Sequence, residues 1–264
     1  MSASAVGTHV WTASGTEGGT HFLNKDGTSI ASGLAPNTGE TPGTACALSI
    51  GAYYNCGAAA QNFFSGSIEE IVVYSSVLST TNSQLIEGYL ACKWSLQRDL
   101  PSSHPYHAFC PTAGTNAQSV AGLSAWYDAS NSASITAVSN AAVTTWNDLS
   151  GHGETLAQAA AGNQPTHIAN CVNGLGCVSF NGSSDNLLSN DTNYARLLLP
   201  ASTVFVVQNA DNDTQTSATL SMNIGGTNIR YGLQLPYSSA ADYDLGDPYA
   251  NRLAVSTSAV FASP

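Results

Sequence analysis

The sequence predicts an all-β fold, a two-sheet sandwich with one short helix. Three observations carry this. Short stretches of alternating apolar residues recur along the 264 residues, each closed by Gly, Asn, Asp or Pro, as strands are. One stretch, from residue 80 to about 97, has its apolar residues at helical spacing. Charged residues make up 9% of the chain, against about 25% in an ordinary globular domain, so hydroxyl and amide side chains cover the surface instead.

The clearest strands are 10–12, 21–24, 47–53, 68–74, 143–146, 178–180 and 203–208. Asn24-Lys25-Asp26-Gly27 carries the Asp-Gly hairpin signal between alternating apolar residues. Residues 67–74 place Ile68, Glu70, Val72 and Tyr74 on one face and Glu69, Ile71 and Val73 on the other. Apolar residues on both faces predict a strand covered on both sides. In the helix, Leu85, Ile86, Tyr89, Leu90 and Trp94 form one stripe, Ser79 or Thr80 caps the start, and Pro101 lies beyond the end. Residues 109–119 read as a linker.

Charge and cysteines narrow the function. Seventeen acidic against six basic residues, a net charge of −11, exclude nucleic acid and anionic membrane as partners, because phosphate binding needs clustered Lys and Arg. No apolar run approaches the ~20 residues of a bilayer span, so no membrane insertion is expected. Met1-Ser-Ala-Ser lacks the basic and apolar regions of a signal peptide, so an exported form is expected to be a mature chain or a piece. Six cysteines pair most simply as neighbours: Cys171 with Cys177, Cys46 with Cys56, and Cys92 with Cys110. Disulfides imply an oxidising, extracellular or cell-surface location. The alternatives are free buried thiols or, less favoured without a C-x-x-C, a zinc site.

Several motifs share one origin. Phe64-Ser-Gly-Ser-Ile-Glu-Glu-Ile71 reads F-x-G-x-I-x-E-I, Glu87 to Trp94 reads E-G-Y-L-A-x-K-W, and Leu100 to Tyr106 reads L-P-x-x-H-P-Y. Trp126 to Ser130 reads W-x-D-A-S, and Trp146 to Gly151 reads W-x-D-x-S-G. Together these resemble the laminin-G-like modules of the concanavalin A-like lectin/glucanase superfamily. The resemblance implies a two-sheet jelly roll, but the order is permuted: the module's closing motifs come first. Residues 1–108 match its C-terminal half and 120–264 its N-terminal half. Joined end to start they make one domain of the size usual for a single all-β unit, about 200–250 residues.

The resemblance brings glycosidases to mind, but the paired carboxylates of those enzymes, E-x-D-x-x-E on one strand, are absent, and adjacent Glu69 and Glu70 are expected to point to opposite faces. No G-x-S-x-G elbow occurs. A non-catalytic module is therefore expected, with no required cofactor. Asp242, Asp244 and Asp247 form a candidate calcium loop, since calcium takes carboxylate oxygens. Trp126, Asp128, Trp146 and Asp148 suit either sugar binding or the core, and the core is favoured. His104 is expected to be packed rather than metal-bound. The leading expectation is a structural unit of a surface fibre or adhesin, its copies joined head-to-tail. In it the strand containing Ala5, Val6, Val10 and Trp11 covers the edge containing Val255, Val260 and Phe261, from the same chain or the next. The second expectation is a lectin-like module that binds carbohydrate at residues the sequence does not name.

Overall fold

The structure, a computed structural model, describes residues 7–34, 46–55, 59–135, 137–189, 201–223, 230–238, 240–246 and 252–256. Strands β1 Thr8–Thr16, β2 Thr20–Lys25, β3 Thr28–Leu34, β4 Ser49–Ile50 and β5 Ser65–Tyr74 precede helix α1, Thr80–Lys93. After it come β6 Leu123–Asp128, β7 Ala141–Ala142, β8 Thr145–Trp146, β9 Leu156–Ala157, β10 Thr166–Val172 and β11 Leu175–Asn181. The chain continues with β12 Leu187–Ser189, β13 Ala201–Ala210, β14 Leu220–Asn223, β15 Arg230–Tyr237, β16 Ala240–Gly246 and β17 Arg252–Ser256.

These strands form two antiparallel sheets, an all-β sandwich with one α-helix among the described residues. The larger sheet runs β3-β2-β1-β13-β5-β11-β10-β7, with β6 also paired to β5. The smaller runs β17-β16-β15-β14-β4-β12-β9-β8. Strands from before and after the helix alternate in both. In the larger sheet β13 lies between β1 and β5, with Thr8 opposite Asn209 and Tyr74 opposite Thr203.

Each sheet face buries what the period-2 pattern put there. Trp11, Leu23, Ile71, Val73 and Val206 of the larger sheet meet Leu220, Leu233, Leu235 and Tyr243 of the smaller in the central core. On the larger sheet's other face, Val10, Val72, Tyr74, Phe205 and Val207 pack under Ile86 and Leu90 of α1 and Trp94 at its C-terminal cap. Coverage of β5 on both sides is thus explained: one side faces the second sheet, the other the helix.

Alternation fails at a place that matters for the site. Val207 stands opposite Glu70 but Gln208 opposite Ile68, so Glu69 is an extra residue, a β-bulge. Ile68 therefore joins Ile71 and Val73 in the central core. The expectation that Glu69 and Glu70 point to opposite faces is overturned: Glu69 bonds Ser67 and approaches Cys171, Glu70 bonds the helix, and both lie on the helix side. At the same point β5 changes partner, from β11 along Ser65–Ile68 to β6 along Glu70–Tyr74.

The helix is shorter than the 80–97 the spacing predicts. Ser79 caps it by accepting from the Asn82 amide at 3.3 Å. It ends at Lys93 because Ser95 adopts a φ of 60°, which breaks the helical run. Gly88 lies where a Cβ would come within 2.4 Å of the Tyr106 ring, so the chain after the helix folds back directly on its backbone. Residues 109–119 are tied down rather than loose: Cys110 is bonded to Cys92, and the Tyr74 hydroxyl donates to the Ala117 carbonyl at 2.6 Å.

Candidate functional site

Three separate motifs converge on one carboxylate. Glu70 on β5 is fully buried. Its Oε1 accepts from the Trp126 indole and the Tyr89 hydroxyl, each at 2.7 Å. Its Oε2 accepts from the Trp94 indole at 2.8 Å and the Lys93 ammonium at 2.7 Å. Lys93 also reaches Asp128 at 2.6 Å, and Asp128 accepts from Ser130. Burial pushes the Glu70 carboxyl up, and Lys93 offsets only part of that rise. Burial and Glu70 together push the Tyr89 hydroxyl up, so it stays a donor. This cluster joins α1, β5 and β6 as internal glue, with Glu70 buried and Lys93 reaching it from the surface. Trp126 and Asp128 belong to it. Trp146 is fully buried against Tyr127, and Asp148 accepts from the Trp126 amide at 2.9 Å. Trp126 and Trp146 thus lie in the core, Asp128 is buried, and half-buried Asp148 holds the Trp126 backbone.

Glu87 sits one turn earlier on the helix, 2.8 Å from the Thr12 hydroxyl and 3.3 Å from His104 Nε2. His104 also accepts from the Tyr106 amide, so it is packed and bonded. Glu87 forms the floor of an open cleft of about 350 Å³ between β2, β3 and the start of α1. Phe22 and Val77 rim the cleft, 39% and 41% exposed. Asn24, Ser29, Ser83 and Gln84 line it with amides and hydroxyls. The sequence placed none of these residues in a site. The signal was there in Phe22, the outward residue between inward His21 and Leu23 of a hairpin strand.

The calcium expectation meets a different geometry. Asp242 and Asp244 lie on strand β16, not on a loop, and both are buried. Arg252 of the neighbouring strand grips Asp244 through two 2.9 Å bonds and reaches Asp242 at 3.1 Å. Its guanidinium pKa is raised, chiefly by the bonds to Asp244. Asp247 lies outside the described residues.

The assembly expectation is corrected in part. Val10 and Trp11 are buried on β1, which is hydrogen-bonded along both sides, to β2 and β13. It therefore does not cover the edge at β17, which belongs to the other sheet. Val255 on β17 packs half-buried against the central core. Ala5, Val6, Val260 and Phe261 lie outside the described residues.

Cys92 is bonded to Cys110, and Cys171 to Cys177, as expected. Cys56 lies outside the described residues, so the pairing of Cys46 with it does too. Glu69 lies beside Cys171 and Cys177, but the two sulfurs are joined and offer no thiolates to a metal. No helix is long and apolar enough to cross a membrane among the described residues.

No family model matches the chain, and no curated protein or solved structure is similar to it.

Proposed function

We propose that this chain is a non-catalytic extracellular module that binds carbohydrate in the cleft between β2, β3 and α1. The cleft carries the reading. It combines one exposed aromatic face, Phe22, with the amides of Asn24 and Gln84 and the hydroxyls of Ser29 and Ser83. A sugar offers C–H faces to an aromatic ring and hydroxyls to amides, and the volume, about 350 Å³, suits one or two neutral sugar units. The motif resemblance to laminin-G-like modules and the two disulfides among the described residues support an extracellular setting. Glycan-array screening followed by calorimetry tests it. Phe22→Ala should weaken binding of the selected oligosaccharide by about tenfold or more, the worth of burying most of an aromatic ring. Absence of any bound glycan, or equal binding by the variant, would refute the reading.

A second reading, a unit of a head-to-tail fibre, is favoured by the positions of the sheet edges. Both sheets end together at each end of the sandwich. At one end Leu253 of β17 packs over Gly33 of β3; at the other lie β7 and β8, neighbours in sequence. Copies stacked end to end would continue both sheets at once. Light scattering over a concentration series distinguishes the two: a strict monomer removes the fibre.

A further inference from the structure

Glu69 differs from the buried carboxylates that hold a basic side chain. Glu70 and Asp128 hold Lys93, Glu87 holds His104, and Asp242 and Asp244 hold Arg252. Glu69 is fully buried and accepts one side-chain bond, from the Ser67 hydroxyl at 2.5 Å, while its Oε2 has no partner. Leaving such an atom unpaired is costly and calls for an explanation. The β5 bulge places this carboxyl under the β10–β11 hairpin. There Cys171 Sγ lies 4.0 Å from Oε1, and both sulfurs of the Cys171–Cys177 bond lie within 4.8 Å of the carboxylate. The two sulfurs are unequal: Cys171 is exposed and Cys177 is fully buried.

We propose that the Cys171–Cys177 bond is a site of reversible thiol–disulfide exchange with small dithiols, in which Glu69 hands a proton to the departing Cys177 sulfur. A dithiol thiolate attacks Sγ of the exposed residue Cys171. The bonding pair leaves on Cys177 Sγ, which takes the proton of the Glu69 carboxylic acid. The second thiolate then attacks the mixed disulfide and closes the reagent into a cyclic disulfide; Cys171 leaves as thiolate and is protonated from water. The dithiol is oxidised by two electrons, the protein disulfide is reduced by two, and Glu69 regains its proton from solvent. A buried thiolate is costly, so a proton delivered at departure lowers the barrier.

Burial pushes the Glu69 carboxyl up to about 8, so at neutral pH it holds the proton the step needs. The charged groups on the surrounding elements are Glu70 on its own strand, Lys93 on α1 and Asp128 on β6. These are bound to one another, and burial rather than their charge sets the shift. β13 presents the uncharged Asn209 opposite Ser67.

The test follows reduction of each disulfide by dithiothreitol from about pH 6.5 to about pH 9.5, using alkylation and mass spectrometry, with rates corrected for reagent thiolate. Cys92–Cys110 in the same molecule is the control. Near neutral pH, Glu69→Gln should slow reduction of Cys171–Cys177 by about tenfold or more, and the control not at all. The wild-type advantage should fade as pH rises past about 8. Ser67→Ala removes the bond that holds the carboxyl pKa down, so that fading should move to higher pH. This second variant decides the matter if Glu69→Gln does not fold. Equal rates in wild type and Glu69→Gln, or an unmoved profile in Ser67→Ala, would overturn the proposal.

Discussion

Trp94 and Trp126, one on the helix and one on a strand, donate their indole N–H groups to the two oxygens of the same buried carboxylate, Glu70. The carboxylate between them locks the helix against the sheet, and the Lys93 ammonium bonds it at 2.7 Å.

Glu70→Gln should therefore lower stability by about 3–5 kcal/mol, as for breaking a buried ion pair, because an amide turns a donor toward Lys93 and an indole. Urea denaturation followed by tryptophan fluorescence reads this directly. A loss under about 1 kcal/mol would mean that the cluster does not lock the helix to the sheet.

Glu69 predicts a pH dependence of stability. Its native carboxyl titrates near 8 and its unfolded one near 4.5. Between these values the native state holds a proton that the unfolded state has released. Stability from this group is thus full below about 4.5 and declines as pH rises to about 8, by at most about 1.4 kcal/mol per pH unit. Glu69→Gln should flatten that slope. An unchanged slope in denaturant midpoints would count against the burial of a protonated acid.

Gly88→Ala pits helix propensity against space. Alanine favours a helix interior by about 1 kcal/mol, but its methyl would enter the Tyr106 ring. The clash should win, with a net loss of about 1–3 kcal/mol. A thermal midpoint at or above that of wild type would show that Tyr106 moves aside without cost.

Arg252→Gln should leave Asp242 and Asp244 buried without their counter-ion and lower stability by about 3–5 kcal/mol. Because the arginine already fills the role a cation would take, chelation by EDTA should leave the wild-type melting temperature unchanged. A clear drop on chelation would restore the calcium expectation.

What could be read from the sequence followed the local rules. Strand periodicity, the helix stripe and the Ser79 cap need only neighbouring residues, and they were legible. So were the core role of Trp126 and Trp146 and the pairings Cys92–Cys110 and Cys171–Cys177. The bulge at Glu69 was not, because it arises where β5 changes partner between two distant strands. Arg252 beside Asp242 and Asp244 was missed because β-pairing, not sequence distance, sets that contact. Phe22 signalled an outward aromatic, but the cleft itself was not legible, because Phe22 and Gln84 line it only once the helix packs beside the hairpin.

The place of β1 inside the larger sheet has a consequence for biosynthesis. Its long partner, β13, begins at Ala201, so most of the chain must be made before the first strand can complete its pairing. Until then Val10 and Trp11 remain uncovered on one side. Such distant pairings fold slowly and expose adhesive edges while they wait. Refolding should therefore be slow and concentration-sensitive, and a fragment ending before residue 201 should stay unfolded.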